Sequence, residues 1–307
     1  MINNNFLEIS NDGNTLIKCD KSIAGNLVLP NGLTKIGPIA FSGCSQLSSI
    51  IIPNTVTEIG SYAFEKCTGI VSINIPDSVL RIGESAFKGC SSLISINIPK
   101  TVTTICKFSF KDCKHLESVV IPSGITKIEE GAFMGCSNLT EIVIPSSIIE
   151  IGVFAFCGCN KLSKIHLQYG IIKLSEGLFK DCSNIETLVI PNSVQSIDAF
   201  AFECCANLKT LEIPNSVSSV GEGVFFFCKE LTSITIPSSV REIGDFAFKG
   251  CRNLRIIHLK HQLPNNVLKP RLGIVRSKIK LYVPPESIER YEEHPYYGIF
   301  SKIISDE

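Results

Sequence analysis

Ten cysteines, Cys44, Cys67, Cys90, Cys113, Cys136, Cys159, Cys182, Cys205, Cys228 and Cys251, stand 23 residues apart without a break. Three residues before each is a phenylalanine, from Phe41 and Phe64 through to Phe248. Proline keeps the same interval from Pro30 to Pro237; Gln168 interrupts the column and Lys260 ends it. A period of this length marks a solenoid, because one such unit cannot bury its own apolar face and must stack on its neighbours.

A single unit reads directly as chemistry. In Leu93-Ile94-Ser95-Ile96-Asn97-Ile98-Pro99, Ile96 and Ile98 alternate with Asn97, the period-2 signature of a strand with one apolar face. Pro99 has no N–H for a ladder and ends the strand. A turn of small or polar residues follows, as at Asn192-Ser193, and Val102 and Ile105 then add two apolar positions. The stretch from Gly83 to Cys90 suits one or two turns of helix. Its first column holds residues that serve as N-caps, Gly37, Gly60, Gly83, Gly152, Ser175, Asp198, Gly221 and Gly244. Glu84, Glu130, Glu176 and Glu222 come next, where a helix dipole favours an anion.

The expected fold is therefore an α/β solenoid: a right-handed superhelix of about ten 23-residue coils, a parallel β-sheet on one side and short helices on the other. At a strand spacing of ~4.8 Å the stack runs some ~50 Å. Residues 1–307 are expected to form one domain, with a cap at 1–29, repeats at 30–259 and a second cap at 260–307. The turn Asn11-Asp12-Gly13-Asn14 between alternating stretches signals a hairpin in the first cap, and Leu27 and Leu29 already occupy strand columns. In the second cap, 261–278 reads as a polar insertion, Lys280–Pro284 as a last strand and Glu286–Glu293 as a short helix, with Tyr296, Tyr297 and Phe300 closing the core.

Charge narrows the partners. Lys+Arg and Asp+Glu both number 29, and no long basic run appears, so nucleic acid is not expected. No apolar run approaches the ~18–20 residues of a membrane-spanning helix, so no membrane insertion is expected. The start from Met1 to Phe6 lacks a basic region and apolar stretch, and the expected location is cytoplasmic. A chain whose export signal had been removed would read the same, and its location would then be secreted or cell-surface.

The recurring Cys-x-x-Leu-x-x-Ile-x-Ile-Pro-x-x-Val-x-x-Ile-Gly-x-x-Ala-Phe resembles the BspA-type leucine-rich repeats, over residues 27 to 259. The resemblance implies a leucine-rich-repeat fold with caps at its ends. Similar proteins are often at the cell surface, where they bind host matrix or other cells. The commoner leucine-rich repeat carries an asparagine ladder where Thr55, Ser78, Thr101 and Ser193 stand here.

The cysteine column admits a zinc site, disulfides between coils, or buried thiols packing as small apolar residues. One sulfur per coil suits the last best. Cys19, Cys106, Cys157 and Cys204 lie outside the column, and no catalytic His or Asp arrangement attaches to them. His166 and His258 share an outward strand column but lie four coils apart, about 19 Å at strand spacing, too far to share a metal. No Gly-rich phosphate loop, nucleophile elbow or paired carboxylates stand out. Neither an enzyme nor a bound cofactor or metal is expected.

Two surfaces remain. The outward strand column places Asn97, Val120, Val143, His166, Val189 and Glu212 side by side, a weakly polar face with an apolar stripe that suits a protein partner. On the opposite side, the position two before each repeat phenylalanine alternates aromatic and small: Tyr62, Ser85, Phe108, Gly131, Phe154, Gly177, Phe200, Gly223, Phe246. Each aromatic is expected to lean over its small neighbour, forming a ridge of Tyr62, Phe108, Phe154, Phe200 and Phe246. The expected function is a non-enzymatic protein-protein interaction module using the strand face. The alternative is a bacterial cell-surface adhesin.

Overall fold

The alternating stretch before each proline does form a strand, and the strands stack in parallel at the repeat interval. The computed structural model describes residues 6–264, 267–268 and 270–306; the parts of the expected caps at 1–5, 265–266, 269 and 307 lie outside the described residues. The chain divides into two compact units, Met1–Ile165 and His166–Glu307. In the first, Gly25–Val28, Leu47–Ile51, Ser72–Ile73, Ser95–Asn97, Ser118–Val120 and Glu141–Ile144 follow one another along one face. Ile96 stands opposite Ile73 on one side and Val119 on the other. In the second unit the same face is built by Thr210–Glu212, Ser233–Ile236 and Ile256–Leu259, continued by Lys280–Val283 and Lys302–Ser305.

A second ladder, absent from the expectation, runs beside the first. The pair of residues ending in the repeat's later isoleucine is itself a two-residue strand. These strands are Lys35–Ile36, Glu58–Ile59, Arg81–Ile82, Thr104–Ile105, Lys127–Ile128 and Glu150–Ile151 in the first unit, and Lys173–Leu174, Ser196–Ile197, Ser219–Val220 and Glu242–Ile243 in the second. They pair in parallel with the equivalent one coil on in three runs, Lys35–Ile36 to Arg81–Ile82, Thr104–Ile105 to Glu150–Ile151 and Lys173–Leu174 to Glu242–Ile243, as Lys127 with Glu150 and Ser219 with Glu242. Two residues per rung carry too little alternation to show a strand period.

The expected helices are replaced by turns. Among the described residues the one α-helix is Ile288–Glu293, in the C-terminal cap. Each coil places two residues in the left-handed region, for example Tyr62 (φ 59°) and Lys66 (φ 57°), or Phe108 (φ 54°) and Asp112 (φ 59°). Consecutive helical residues need φ near −60°, so a left-handed residue stops the helix. Alternate N–H groups close short turns, such as Ala63 N to Gly60 O (3.3 Å) and Cys67 N to Phe64 O (3.1 Å). The others cross to the next coil: Tyr62 N to Glu84 O (2.9 Å), Phe64 N to Ala86 O (2.7 Å) and Lys66 N to Lys88 O (2.7 Å).

The reason is spacing. The buried phenylalanines stack face to face with centroids 5.0 Å apart at Phe41–Phe64 and 5.7 Å apart at Phe87–Phe110 in the first unit. In the second unit Phe179–Phe202 lies at 5.8 Å and Phe225–Phe248 at 5.6 Å. Packed α-helices need about 8–10 Å between axes, which this stack does not leave. The α/β reading is thus corrected to a parallel-strand β-solenoid in each unit, and the cap strands bring the total to about 12 turns rather than ten.

The same tight spacing explains the glycine column expected to cap helices. A Cβ built on Gly83 would stand 2.5 Å from Ser61 N and 2.7 Å from Gly60 C, so close backbone approach selects glycine there. The hydroxyls in place of asparagine form their own ladder. Thr55 Oγ1 donates to Leu33 O (2.6 Å), Ser78 Oγ to Val56 O (2.7 Å), Thr101 Oγ1 to Val79 O (2.5 Å) and Ser147 Oγ to Ile125 O (2.7 Å).

Both caps take the expected elements and add contacts the sequence did not show. Leu7–Ile9 and Thr15–Cys19 form the antiparallel hairpin, and Gly13 supplies the positive φ of its turn (74°). The second hairpin strand then pairs with Lys35–Ile36, so the cap covers the short ladder. At the other end Lys280–Val283 pairs with Ile256–Leu259 as expected, and Lys302–Ser305 extends the sheet past it. The segment read as an insertion continues the turn face instead: Phe246 N donates to Arg271 O and Phe248 N to Leu272 O, while Val267, Leu268 and Leu272 are buried. Tyr291 and Tyr297 close the core edge to face, 5.0 Å apart.

Candidate interaction surface

Strand alternation decides which residues face outward, and it puts all six residues of the expected strand-face site in solvent. In the first unit these are Asn97, Val120 and Val143. Val120 is 79% exposed, and Val28 and Ile51 in the same column are 63% and 62% exposed. Asn97 differs in kind. Its Oδ1 accepts from Ile75 N (2.9 Å) and its Nδ2 donates to Ile75 O (2.6 Å), so the amide closes the strand edge of the preceding coil. That pairing leaves Asn97 less to offer a ligand than the valines.

In the second unit His166, Val189 and Glu212 are the outward residues, with Val189 83% exposed. Val189 and Glu212 lie in a trough of about 880 Å³ together with Thr187, Thr210, Thr235 and Lys260. Lys260 was not among the expected site residues, although its replacing proline at the end of that column was the available signal. Its ammonium pairs with the Asp306 carboxylate at 2.8 Å. His258 Nδ1 lies 3.0 Å from the other Asp306 oxygen, and its ring stacks on Tyr282 at 4.7 Å. Burial pushes the Asp306 carboxyl up, but the hydrogen bonds from Lys260 and His258 outweigh it and hold the group below the usual carboxylate range. Asp306 follows directly on the last strand, outside the repeat, so no column of the sequence pointed to it.

The turn side resolves the alternation of aromatic and small residues. Left-handed φ recurs at that position in every repeat, from Ile39 to Phe246. Glycine takes it without strain, and where an aromatic stands the ring compensates by contact. A Cβ on Gly131 would collide with Cε1 of Phe108, and one on Gly223 with Cε1 of Phe200, so these rings do lie over the next coil's glycine. Tyr62, Phe108, Phe154 and Phe200 are half-buried, and Phe246 is 40% exposed. Lys111 Nζ covers the Phe108 ring at 5.5 Å and Lys249 Nζ the Phe246 ring at 5.2 Å. Much of the ridge is therefore spent on packing.

The cysteine column is polar as well as apolar. None of the fourteen cysteines forms a disulfide. Cys67 Sγ donates to Phe41 O (3.0 Å) and Cys136 Sγ to Phe110 O (3.1 Å); in the second unit Cys228 Sγ donates to Phe202 O (3.1 Å). Each of these three thiols thus ties its coil to the phenylalanine carbonyl of the preceding one, which alanine could not do. Burial pushes the Cys251 thiol up to about 12 and the Cys113 thiol further, so at these positions the thiolate that a nucleophile or metal ligand requires is strongly disfavoured; Cys44, at the start of the column, is instead shifted down by its hydrogen bond with Cys19. Among the described residues no three His, Cys, Asp or Glu side chains gather as a metal site would, and no helix is long and apolar enough to cross a membrane.

A family model described as the BspA type leucine rich repeat region matches residues 19–140 and 126–255. No curated protein matches the chain. A solved leucine-rich repeat protein from Bacteroides ovatus is 25% identical with a TM-score of 0.60, over 92% of this chain and 78% of its own. A solved leucine rich cell surface protein from Faecalibacterium prausnitzii is 26% identical with a TM-score of 0.53, over 98% of this chain and 93% of its own. A leucine-rich repeat protein from Eubacterium ventriosum, 20% identical with a TM-score of 0.54 over 86% of this chain and 95% of its own, shares the fold.

Proposed function

The chain belongs to the BspA-type leucine-rich repeat family, and from that premise we propose that it is a non-enzymatic interaction module that captures a protein partner through its strand face. The observation that carries the reading is the exposure of branched apolar side chains on that face, Val120 at 79% and Val189 at 83%, beside small hydroxyls and few charges. Exposed apolar surface with a polar rim suits a protein surface better than a charged polymer. The thiol column supports a reducing compartment.

A second reading places the protein on a bacterial surface as an adhesin for host matrix or other cells. It is favoured by the Faecalibacterium prausnitzii relative, whose description is a leucine rich cell surface protein.

Site-directed photocrosslinking in cells of the source tests the first reading. A photoreactive residue at Val120 or Val189 should trap a protein partner. The same residue at Ile149, exposed at 65% but next to the short-strand ladder, should trap none. Trapping from Ile149 alone would move the site off the strand face. Labelling of intact cells with an impermeant probe separates the two locations.

A further inference from the structure

Between Asp245 and Glu286 the chain has no acidic side chain but nine lysines and arginines, in a protein whose Lys+Arg and Asp+Glu are otherwise equal at 29. Four of these cations have an occupation. Lys260 pairs with Asp306 at 2.8 Å and Arg271 with Asp245 at 3.6 Å. Arg276 lies on the Tyr296 ring at 3.9 Å and donates to its carbonyl at 3.0 Å. Lys249 covers the Phe226 and Phe246 rings, and Lys269 lies outside the described residues.

Arg252, Arg255, Lys278 and Lys280 are left. None has a carboxylate within ion-pair distance among the described residues, and the first three line one cleft of about 330 Å³ with Gly250 and Gly273. No acidic side chain lines it. Three like charges around a concavity repel one another unless an anion joins them.

Two further features prepare the cleft. Arg255 Nη1 donates to Arg252 O (2.8 Å) and Leu254 O (2.9 Å), which fixes the guanidinium and leaves its other N–H groups available. Gly250 ends a backbone ladder. At the equivalent position Asp181 N donates to Glu203 O, Cys204 N to Phe226 O and Phe227 N to Lys249 O, each at 2.8 Å. The N–H of Gly250 has no such acceptor among the described residues, and Gly250 lines the cleft. An unpaired backbone donor beside a fixed guanidinium is the equipment of oxyanion recognition.

We propose that this cleft binds a phosphate or sulfate group. A carboxylate is satisfied by one arginine fork, whereas three cations and a backbone N–H suit a doubly charged tetrahedral anion. The cleft stands at the small end of ligand-site volumes, with room for a group of sugar-phosphate size. It is separate from the trough that holds Val189 and Glu212, so it does not depend on the strand-face reading.

The test is calorimetric titration of the full chain with glucose 6-phosphate, inorganic phosphate and glucose. Both phosphates should bind saturably with one site and glucose should not. Tighter binding of glucose 6-phosphate identifies the group as ligand-borne; equal binding identifies the free anion as the ligand. Arg252→Gln combined with Lys278→Gln should weaken either phosphate by about tenfold or more. Lys280→Gln, equally basic but outside the lining, should change it less than about twofold. The replaced side chains are exposed, so the variant's thermal midpoint should stay close to that of the parent and show that it folds. Absence of saturable binding, or binding that the double variant retains in full, overturns the proposal.

Discussion

Replacing Lys66 by glycine distinguishes the turn face from the helix that its sequence suggests, because the two structures give the change opposite signs. Lys66 is exposed and holds φ at 57°. Its N–H bond to Lys88 O, 2.7 Å long, survives the change because it belongs to the backbone. The left-handed conformation costs an L-residue about 1–2 kcal/mol. Glycine avoids that cost but returns about 0.5–1 kcal/mol through the greater entropy of the unfolded chain. Lys66→Gly should therefore stabilise by about 0.5–1 kcal/mol, which for a unit of this size raises the thermal midpoint by about 1–4 °C. In a helix the same change would destabilise by roughly 1 kcal/mol. Lys66→Ala keeps the backbone strain and should move the midpoint little. Calorimetric melting of the three chains decides the matter. A fall for Lys66→Gly together with a rise for Lys66→Ala would refute the turn geometry. Asp112→Gly, at φ 59°, should show the same sign with a smaller gain, because aspartate tolerates the left-handed region better than lysine.

Other outcomes follow from the core and the cap. Phe133 is fully buried between Phe110 at 5.3 Å and Phe156 at 5.4 Å, so Phe133→Ala should cost about 3–5 kcal/mol in denaturant unfolding. Phe41, stacked on Phe64 at the end of the column, should cost about 1 kcal/mol less, and equal costs would remove stacking from the account. Of the fourteen reduced thiols, the half-buried Cys106, Cys204 and Cys251 should react first with an aromatic disulfide reagent; rapid reaction of all in the folded chain would contradict the buried column. His261 is 6% exposed, its Nε2 lies 2.8 Å from Val240 O, and burial holds its pKa below 6.5. A depressed histidine adds stability above its unfolded pKa that is lost as pH falls below about 6.5 toward the folded value. His261→Gln should flatten that part of the stability curve, and an unchanged slope would place the titration elsewhere.

The residues that announced themselves were those whose role repeats in every coil. Phe41 to Phe248 and Ile96 with Ile98 recur on one period, so their burial and the parallel strand stack were legible at once. The two-residue strands escaped because Lys127–Ile128 or Ser219–Val220 contains a single alternation, too short to tell from loop. The glycines at Gly60 and Gly83 were visible as a column but assigned to caps, since closeness to the neighbouring backbone is not written along the chain. At the strand face the outward positions of Val120, Val143 and Val189 follow from alternation alone. The use of Asn97 to close the strand edge at Ile75, and the arrival of Asp306 beside Lys260 and His258, depend on residues 22 to 48 positions away.

By itself the sequence determined the period, the stacked phenylalanines, the inward and outward faces of the long strands and the presence of caps. All of these are properties of one unit repeated, and local alternation plus burial is enough to specify them. Only the tertiary structure decided what the segment from Gly83 to Cys90 and its equivalents become. Taken singly, Gly-Glu-Ser-Ala-Phe-Lys-Gly-Cys is an acceptable turn of helix. Stacked on a neighbour whose phenylalanine ring lies 5.3 Å away, as Phe87 lies on Phe64, it has no room for one, and alternate N–H groups bond across the coils while the others close short turns.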